Sequence, residues 1–170
     1  MEFATISEIL ENSLISLLGI DKKFGLAKNI KKWYKEYIEK EVQIFPNVYN
    51  TLKSLEQMDF KLGIISNSDT WLTKYMLKKF SLSKFFDVVI TSSMAKCYKP
   101  ALEIFKLALL KLKCKAEETM FVGNCEEDIN GAKSVGMVAV LLKSKEIPKL
   151  KTSPDFVISD LSEIFHIVRK

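Results

Sequence analysis

Three short polar stretches hold the residues best suited to chemistry: Ser66-Asn67, Lys99-Pro100, and residues 123–128, GNCEED. The first ends the run FKLGIISNSD. Its Leu62, Gly63, Ile64 and Ile65 are too few for a helix and β-branched enough for a buried strand. A strand that ends in a hydroxyl and an amide, just ahead of a helical pattern, can hold an anion through backbone N–H groups, the helix dipole and the Ser66 hydroxyl. Lys99 precedes a proline that opens another helical pattern, so its ammonium can reach back over a sheet edge towards that anion. Asn124, Glu126, Glu127 and Asp128 offer oxygen donors beside a third strand end, the donor type a hard cation such as magnesium takes. Each stretch alone has a plainer reading. Ser68 or Asp69 would cap the next helix, Lys99 would lie in solvent, and the acids would offset a helix dipole.

The elements that position these residues decide between the readings. Residues 5–18 read as a helix opened by a capping box, Thr5-x-x-Glu8. Residues 27–41 read as a second helix, with Ile30, Trp33, Tyr34, Tyr37 and Ile38 on an inward stripe. Pro46 marks a boundary, and Asn47 is the expected N-cap of a helix over 48–57. Strands are then expected at 60–66, 85–91, 119–123, 138–142 and 156–159. Helices are expected between them at 71–80, 100–113 and 128–135, with a last one at 161–168 capped by Asp160. Apolar strands alternating with helices imply a Rossmann-like three-layer α/β/α parallel sheet. The domain reading is a helical cap subdomain over 1–45 and an α/β core over 46–170. Ligands of such sheets bind outside the carboxyl ends of the strands, where Ser66, Lys99 and Asp128 should meet.

Composition narrows the setting. The 170 residues, 48% of them hydrophobic, can bury a full core. No apolar run reaches transmembrane length and the start lacks a secretory pattern, so a cytoplasmic protein that does not enter a membrane is expected. Cys97, Cys114 and Cys125 form no CxxC pair and indicate neither a disulfide framework nor zinc. The net charge of +5 comes almost wholly from dispersed lysines, with Arg169 the only arginine. Nucleic acid is therefore not the expected partner, because base and phosphate recognition draws on arginine's bidentate fork. The aromatic and lysine pattern of 27–41 suits helix packing better than RNA stacking.

The order and spacing of the three stretches resemble the haloacid dehalogenase-like hydrolase superfamily, whose members are mostly magnesium-dependent phosphatases. GIISNSD resembles its second motif, which implies that Ser66, with Asn67 beside it, binds the transferred phosphoryl group. CYKPALEIF resembles its third, which implies that Lys99 steadies charge on nucleophile and phosphate. FVGNCEEDINGAKSVGM resembles its fourth, which implies magnesium held by Asn124 and Asp128. A small phosphorylated metabolite is the substrate class implied.

Two departures qualify the resemblance. The family's first motif, a hydrophobic strand ending in DxDxT, has no counterpart here, and the N-terminal MEFATISEI carries no matching acid. The nucleophilic aspartate of the aspartyl-phosphate route is thus absent from this sequence, and magnesium loses a ligand with it. The missing strand is central in the family's sheet. Strands 60–66 and 119–123 must then pair directly, leave a gap, or receive a strand from elsewhere, which gives a reason for a homodimer or a strand swap. The reading adopted is a short form whose first strand lies upstream of Met1; the alternative is a non-catalytic protein that binds a phosphorylated ligand or a partner. The second departure is Asn124, where an aspartate is usual. Together with Tyr98-Lys99-Pro100 it makes 2-haloacid dehalogenation the rival chemistry.

Overall fold

The five apolar runs become five strands, each joined to helices, in the computed structural model, which describes residues 3–18, 26–143 and 149–168. In chain order the elements are α1 (Ile6–Leu18), α2 (Leu26–Glu41), α3 (Val48–Gln57), β1 (Gly63–Ser66), α4 (Thr70–Lys79), β2 (Val88–Thr91), α5 (Ser92–Ala95), α6 (Leu102–Leu112), β3 (Met120–Gly123), α7 (Glu126–Ser134), β4 (Val138–Leu142), β5 (Phe156–Ile158) and α8 (Phe165–Val168). All pairing among the described residues is parallel. β1 lies beside β2 with Ile64 opposite Val89 and Ser66 opposite Thr91. β3, β4 and β5 form a second ladder, with Phe121 opposite Ala139 and Leu141 opposite Val157. Among the described residues no strand joins β1 to β3. Of the three arrangements open to the sequence, the structure has the gap, an apolar cleft of about 300 Å³ between the two strands.

Side-chain alternation along the strands sets the layers. Ile64 and Val89 pack with Leu52 of α3 and Leu77 of α4, while Ile65, Val88 and Ile90 pack with Ile104, Phe105 and Ala108 of α6 and Ile129 and Ala132 of α7. The result is an α/β/α sandwich. Phe105 bridges the two ladders on the second face: its ring meets that of Phe121 edge-on at 5.2 Å.

The N-terminal helices lie at the carboxyl end of β1. The Thr5–Glu8 capping box forms as expected, with the Thr5 N–H donating to Glu8 Oε2 at 2.7 Å and the Glu8 N–H to Thr5 Oγ1 at 3.3 Å. A second acceptor was not foreseen. Asp69 stands at the N-cap position of α4 but makes no cap bond there. Its buried carboxylate instead accepts from Ile6 N–H at 3.0 Å, Ser7 N–H at 3.1 Å and the Ser7 hydroxyl, and from Trp71 Nε1 at 3.3 Å. An anion at the α1 N-terminus satisfies orphan donors and suits the dipole. α2 is tied down at its other end, where the Lys79 ammonium donates to the Ile38 carbonyl and Tyr75 to Glu39.

Several local expectations give way to tertiary contacts. Asn47 precedes α3 but does not cap it, because its amide donates to Asp160 Oδ2 at 3.1 Å. Pro100 does not open α6, which begins at Leu102; the Lys99–Pro100 peptide is cis. Only part of the α2 stripe turns inward. Ile30 and Ile38 are buried, whereas Trp33 and Tyr37 are 53% and 60% exposed, on the face away from the core. The Gly19 expected to close α1 lies outside the described residues.

The Asp69 contact makes a prediction about how α1 is held. Asp69→Ala should remove the acceptor of two α1 N–H groups and cost about 1–2 kcal/mol, at the upper end for an N-cap. In hydrogen-exchange measurements the loss should concentrate at Ile6 and Ser7, with the β-strand amides unchanged. Uniform loss across the chain would contradict a local role.

Candidate active site

Lys99 is the point at which the three polar stretches meet. Its ammonium donates to Asp128 Oδ1 at 2.6 Å and to the Ile65 carbonyl at 3.3 Å, so it spans the carboxyl ends of β1 and β3. Its side chain is 11% exposed and that of Asp128 4%, and the ammonium stands 5.6 Å from the centre of the Phe121 ring. An ammonium has three protons, and two are used.

Backbone clamping fixes this position. Asn67 Oδ1 accepts the Lys99 N–H at 2.7 Å and Asn67 Nδ2 donates to the Lys99 carbonyl at 3.2 Å, a two-point hold on one residue. The Asn67 side chain is thereby committed, and its own backbone N–H is what remains for an anion. Next to it, Ser66 Oγ donates to Ser68 Oγ at 3.0 Å. Behind these lies a hydroxyl network in which Thr70 Oγ1 reaches Thr91 Oγ1 at 2.7 Å and Ser93 Oγ at 2.8 Å. Tyr98, before Lys99, donates to the Ala4 carbonyl, and its ring stands 5.1 Å from Phe3. The N-terminal segment is in this way fastened to the loop that carries the lysine.

Asp128 is the other fixed charge. Its Oδ2 accepts the Asn124 N–H at 2.9 Å, the Cys125 N–H at 3.4 Å and the Cys125 thiol at 3.1 Å. A glycine at position 123 is required by this packing, since a Cβ there would lie 2.5 Å from Asp128 Cγ. Burial, the largest single influence, pushes the Asp128 carboxyl pKa up, but the Lys99 bond and charge, the Cys125 thiol and the Asn124 N–H together hold it below its ordinary 3.8. Burial also pushes the Cys125 thiol up, helped by its bond to Asp128, to about 12, so no reactive thiolate forms there.

The remaining acids point elsewhere. Glu126 receives Lys151 N–H at 2.8 Å and Thr152 Oγ1 at 2.7 Å, which ties the 149–154 segment down. Glu127 is exposed. Asn124 is exposed and lines a second cleft of about 470 Å³ at the carboxyl ends of β3 and β4, with Phe45, Gly123, Lys143 and Asp160 on its other walls. Among the described residues no three His, Cys, Asp or Glu side chains converge as a metal cluster. Sequence reasoning located the three stretches but missed the Asn67 clamp and the Asp69 cap. Both involve partners more than thirty positions away, which leave no local pattern.

Known proteins resemble this chain in sequence and in fold. The model of the haloacid dehalogenase-like hydrolase family matches residues 2–142. A glyceraldehyde 3-phosphate phosphatase of Methanocaldococcus jannaschii is 39% identical over 97 residues, which are 55% of this chain and 42% of that protein. A pyrophosphatase PpaX of Oceanobacillus iheyensis is 34% identical over 130 residues, 75% of this chain and 61% of the relative. The chain thus spans about half the length of these relatives. A crystal structure of a HAD phosphatase from Thermococcus onnurineus superposes with a TM-score of 0.75 at 30% identity, over 92% of this chain and 69% of that one. An L-2-haloacid dehalogenase from Xanthobacter autotrophicus superposes with a TM-score of 0.77 at 20% identity, over 98% and 77% of the two chains, a likeness of fold alone. From the family match, and from three motifs brought together at one end of a parallel α/β sheet, the chain belongs to the haloacid dehalogenase-like hydrolase family.

Proposed function

We propose that this chain supplies the phosphoryl-binding and charge-stabilising groups of a magnesium-dependent phosphomonoester hydrolase acting on a small phosphorylated metabolite. The observation that carries the reading is the buried Lys99 ammonium, held between the ends of β1 and β3 with one proton uncommitted and Ser66 on the β1 side. In this reading the Ser66 hydroxyl turns its proton from Ser68 Oγ to a phosphoryl oxygen, and the Asn67 N–H donates beside it. Lys99 directs its third N–H at the charge that builds during transfer. Asn67 acts through its side chain as well, by holding the Lys99 backbone in place. The phosphatase relatives named above favour this chemistry over dehalogenation.

Asp128 and the Asn124 amide oxygen are the residues that would hold magnesium. One carboxylate and one amide, completed by substrate phosphate and water, suit a cation that keeps much of its hydration. The ion pair with Lys99 already occupies Asp128 Oδ1, so the fit is that of a weak site. When bound, the metal would polarise phosphoryl oxygens as a Lewis acid. Attack on phosphorus is a separate matter. Among the described residues the buried carboxylates are Asp69 and Asp128, and both are committed, one to the α1 N-terminus and one to Lys99. Residues 1–170 by themselves should therefore bind and orient a phosphoryl group without attacking it.

Two measurements test this. Calorimetric titration with inorganic phosphate should show binding that Ser66→Ala weakens about tenfold, the worth of one hydrogen bond to a charged group. Lys99→Met in an Asp128→Asn background, where no buried charge is left unpaired, should weaken it at least as much. Unchanged affinity in both variants would overturn the reading, and turnover of p-nitrophenyl phosphate by residues 1–170 alone would contradict the division between binding and attack. Tighter binding of 2-chloropropionate than of phosphate would favour the dehalogenase instead.

The second measurement is stability against pH. The folded state holds Asp128 below its ordinary pKa, so its contribution is complete above about pH 5 and is lost as the pH falls below the ordinary carboxylate range. Asp128→Asn should cost roughly 3–5 kcal/mol in urea denaturation at pH 7, because it leaves Lys99 buried and unpaired. The difference from wild type should narrow towards pH 3. A difference that stays constant across that range would mean the ion pair is not its source.

A further inference from the structure

The proton that Ser66 would offer a phosphoryl oxygen is already in use. Ser66 Oγ donates to Ser68 Oγ at 3.0 Å, and a hydroxyl has one proton to give. To donate to an anion Ser66 must leave Ser68, and Ser68 must then find another donor. One is at hand. Ser68 Oγ also bonds Thr73 Oγ1, a contact in which either oxygen can be the donor. Thr73 lies in the first turn of α4 and is 8% exposed, so its hydroxyl is met by protein rather than by bulk water. Three hydroxyls therefore form one chain, running from the end of β1 to the buried face of α4.

This chain can take either sense with the same bonds. As it stands, protons are directed from Ser66 to Ser68 and from Ser68 to Thr73. With an anion beside Ser66 the order can reverse, Thr73 donating to Ser68 and Ser68 to Ser66, and the Ser66 proton is then free for a phosphoryl oxygen. Only hydroxyl rotations separate the two arrangements; no proton leaves its oxygen, and both bonds persist. A negative charge favours the second sense because every donor then points towards it, and hydrogen bonds in a row polarise one another. The backbone around the chain is anchored independently of it. Ser92, fully buried, donates its hydroxyl to the Ser68 carbonyl at 3.1 Å, and the Thr70 N–H donates to Ser93 Oγ at 3.0 Å. Neither anchor uses the Ser68 or Thr73 hydroxyl, so both can turn.

We propose that Ser68 and Thr73 are positioning residues of the phosphoryl site, forming a hydroxyl relay that reverses its sense when an anion binds at Ser66. Thr73 supplies Ser68 with the proton that Ser66 withdraws, and Ser68 turns its own proton onto Ser66. Ser66 then donates outward while accepting from behind, which makes it a stronger donor than an isolated serine. The proposal rests on the reading of Ser66 as a phosphoryl ligand and adds the residues that let it act as one. Its consequence is specific. With the Thr73 hydroxyl removed, Ser66 is the hydroxyl left to donate to Ser68 among the described residues, and binding an anion costs the Ser68 oxygen that donor.

Calorimetric titration of the full chain with inorganic phosphate tests the relay. Thr73→Val, which replaces the hydroxyl by a methyl group of similar size, should weaken binding about threefold, part of the worth of one hydrogen bond to a charged group. Thr73→Ser, which keeps the hydroxyl, should bind as the wild type does. In a Ser66→Ala background Thr73→Val should have no further effect, because no Ser66 proton remains to redirect. An equal loss in both backgrounds would assign Thr73 a packing role and overturn the relay. Unchanged or tighter binding by Thr73→Val would overturn it too, as would weak binding by Thr73→Ser. If Thr73→Val unfolds, Thr73→Cys makes the same comparison with a weak donor in place, and should weaken binding only where Ser66 is present. Whenever Ser66→Ala alone weakens binding, loss of the relay leaves the phosphoryl reading standing. No weakening by Ser66→Ala overturns both.

Discussion

Lys99 and Asp128 meet at 2.6 Å with both side chains almost wholly out of water, and their contact joins the carboxyl ends of two ladders that share no strand pairing. Removing two charges from water costs several kcal/mol for each ion, and the mutual attraction offsets this only when the remaining lone pairs and protons find partners. They do here. Asp128 also receives two backbone N–H groups and a thiol, and Lys99 also donates to a strand-end carbonyl. The pair is therefore not a loose surface bridge of negligible worth. It links the carboxyl ends of β1 and β3, where Asn67 clamps the Lys99 backbone and the Asn124 N–H meets Asp128.

The opposite tie is apolar, and it works on one face only. Phe105 and Ile104 of α6 and Ile129 and Ala132 of α7 pack in one cluster with residues from both ladders, Ile90 of β2 on one side and Ala139 and Leu141 of β4 on the other. Close packing there leaves no room: a Cβ on Gly131 would stand 2.2 Å from the Phe105 ring. On the other face the cluster of Leu52, Leu77, Leu82 and Phe85 gathers around Ile64 and Val89, from the β1–β2 ladder alone. The cleft opens beneath α3 for this reason. A continuous layer on one side and a discontinuous one on the other lets the two ladders keep a common direction while their facing edges stay apart.

Much of this was legible because it is local. Five strands and the helices between them follow from apolar runs, β-branching and caps, and the Thr5–Glu8 box and the Asp160 cap of the last helical segment appear as read. That the three polar stretches lie together at Lys99 was legible too, since strand ends of a parallel sheet share one edge. What sequence patterns did not reveal are partners chosen in space. Asn47 and Asp69 each stand where a cap residue belongs, yet one bonds to Asp160 and the other to the start of α1. Trp33 and Tyr37 fall on the apolar period of α2 but turn outward, because a helix lying on a domain surface buries a narrower stripe than its pattern suggests. The gap itself was foreseen only as one of three outcomes, since periodicity identifies a strand without saying which neighbour it will find.

These two ties separate what the site binds from what it would do. The groups suited to a phosphoryl anion are set by contacts within the described chain: the Asn67 clamp on Lys99, the hydroxyl network under Ser66, and the Gly123–Asp128 close approach. None of these contacts passes through the cleft between β1 and β3. The buried carboxylates among the described residues are used for architecture. Asp69 holds α1 over the strand ends, and releasing it would free the helix start; Asp128 neutralises the lysine, and releasing it would leave a buried cation. Recruiting either acid for attack would dismantle the contacts that hold α1 and Lys99 in place.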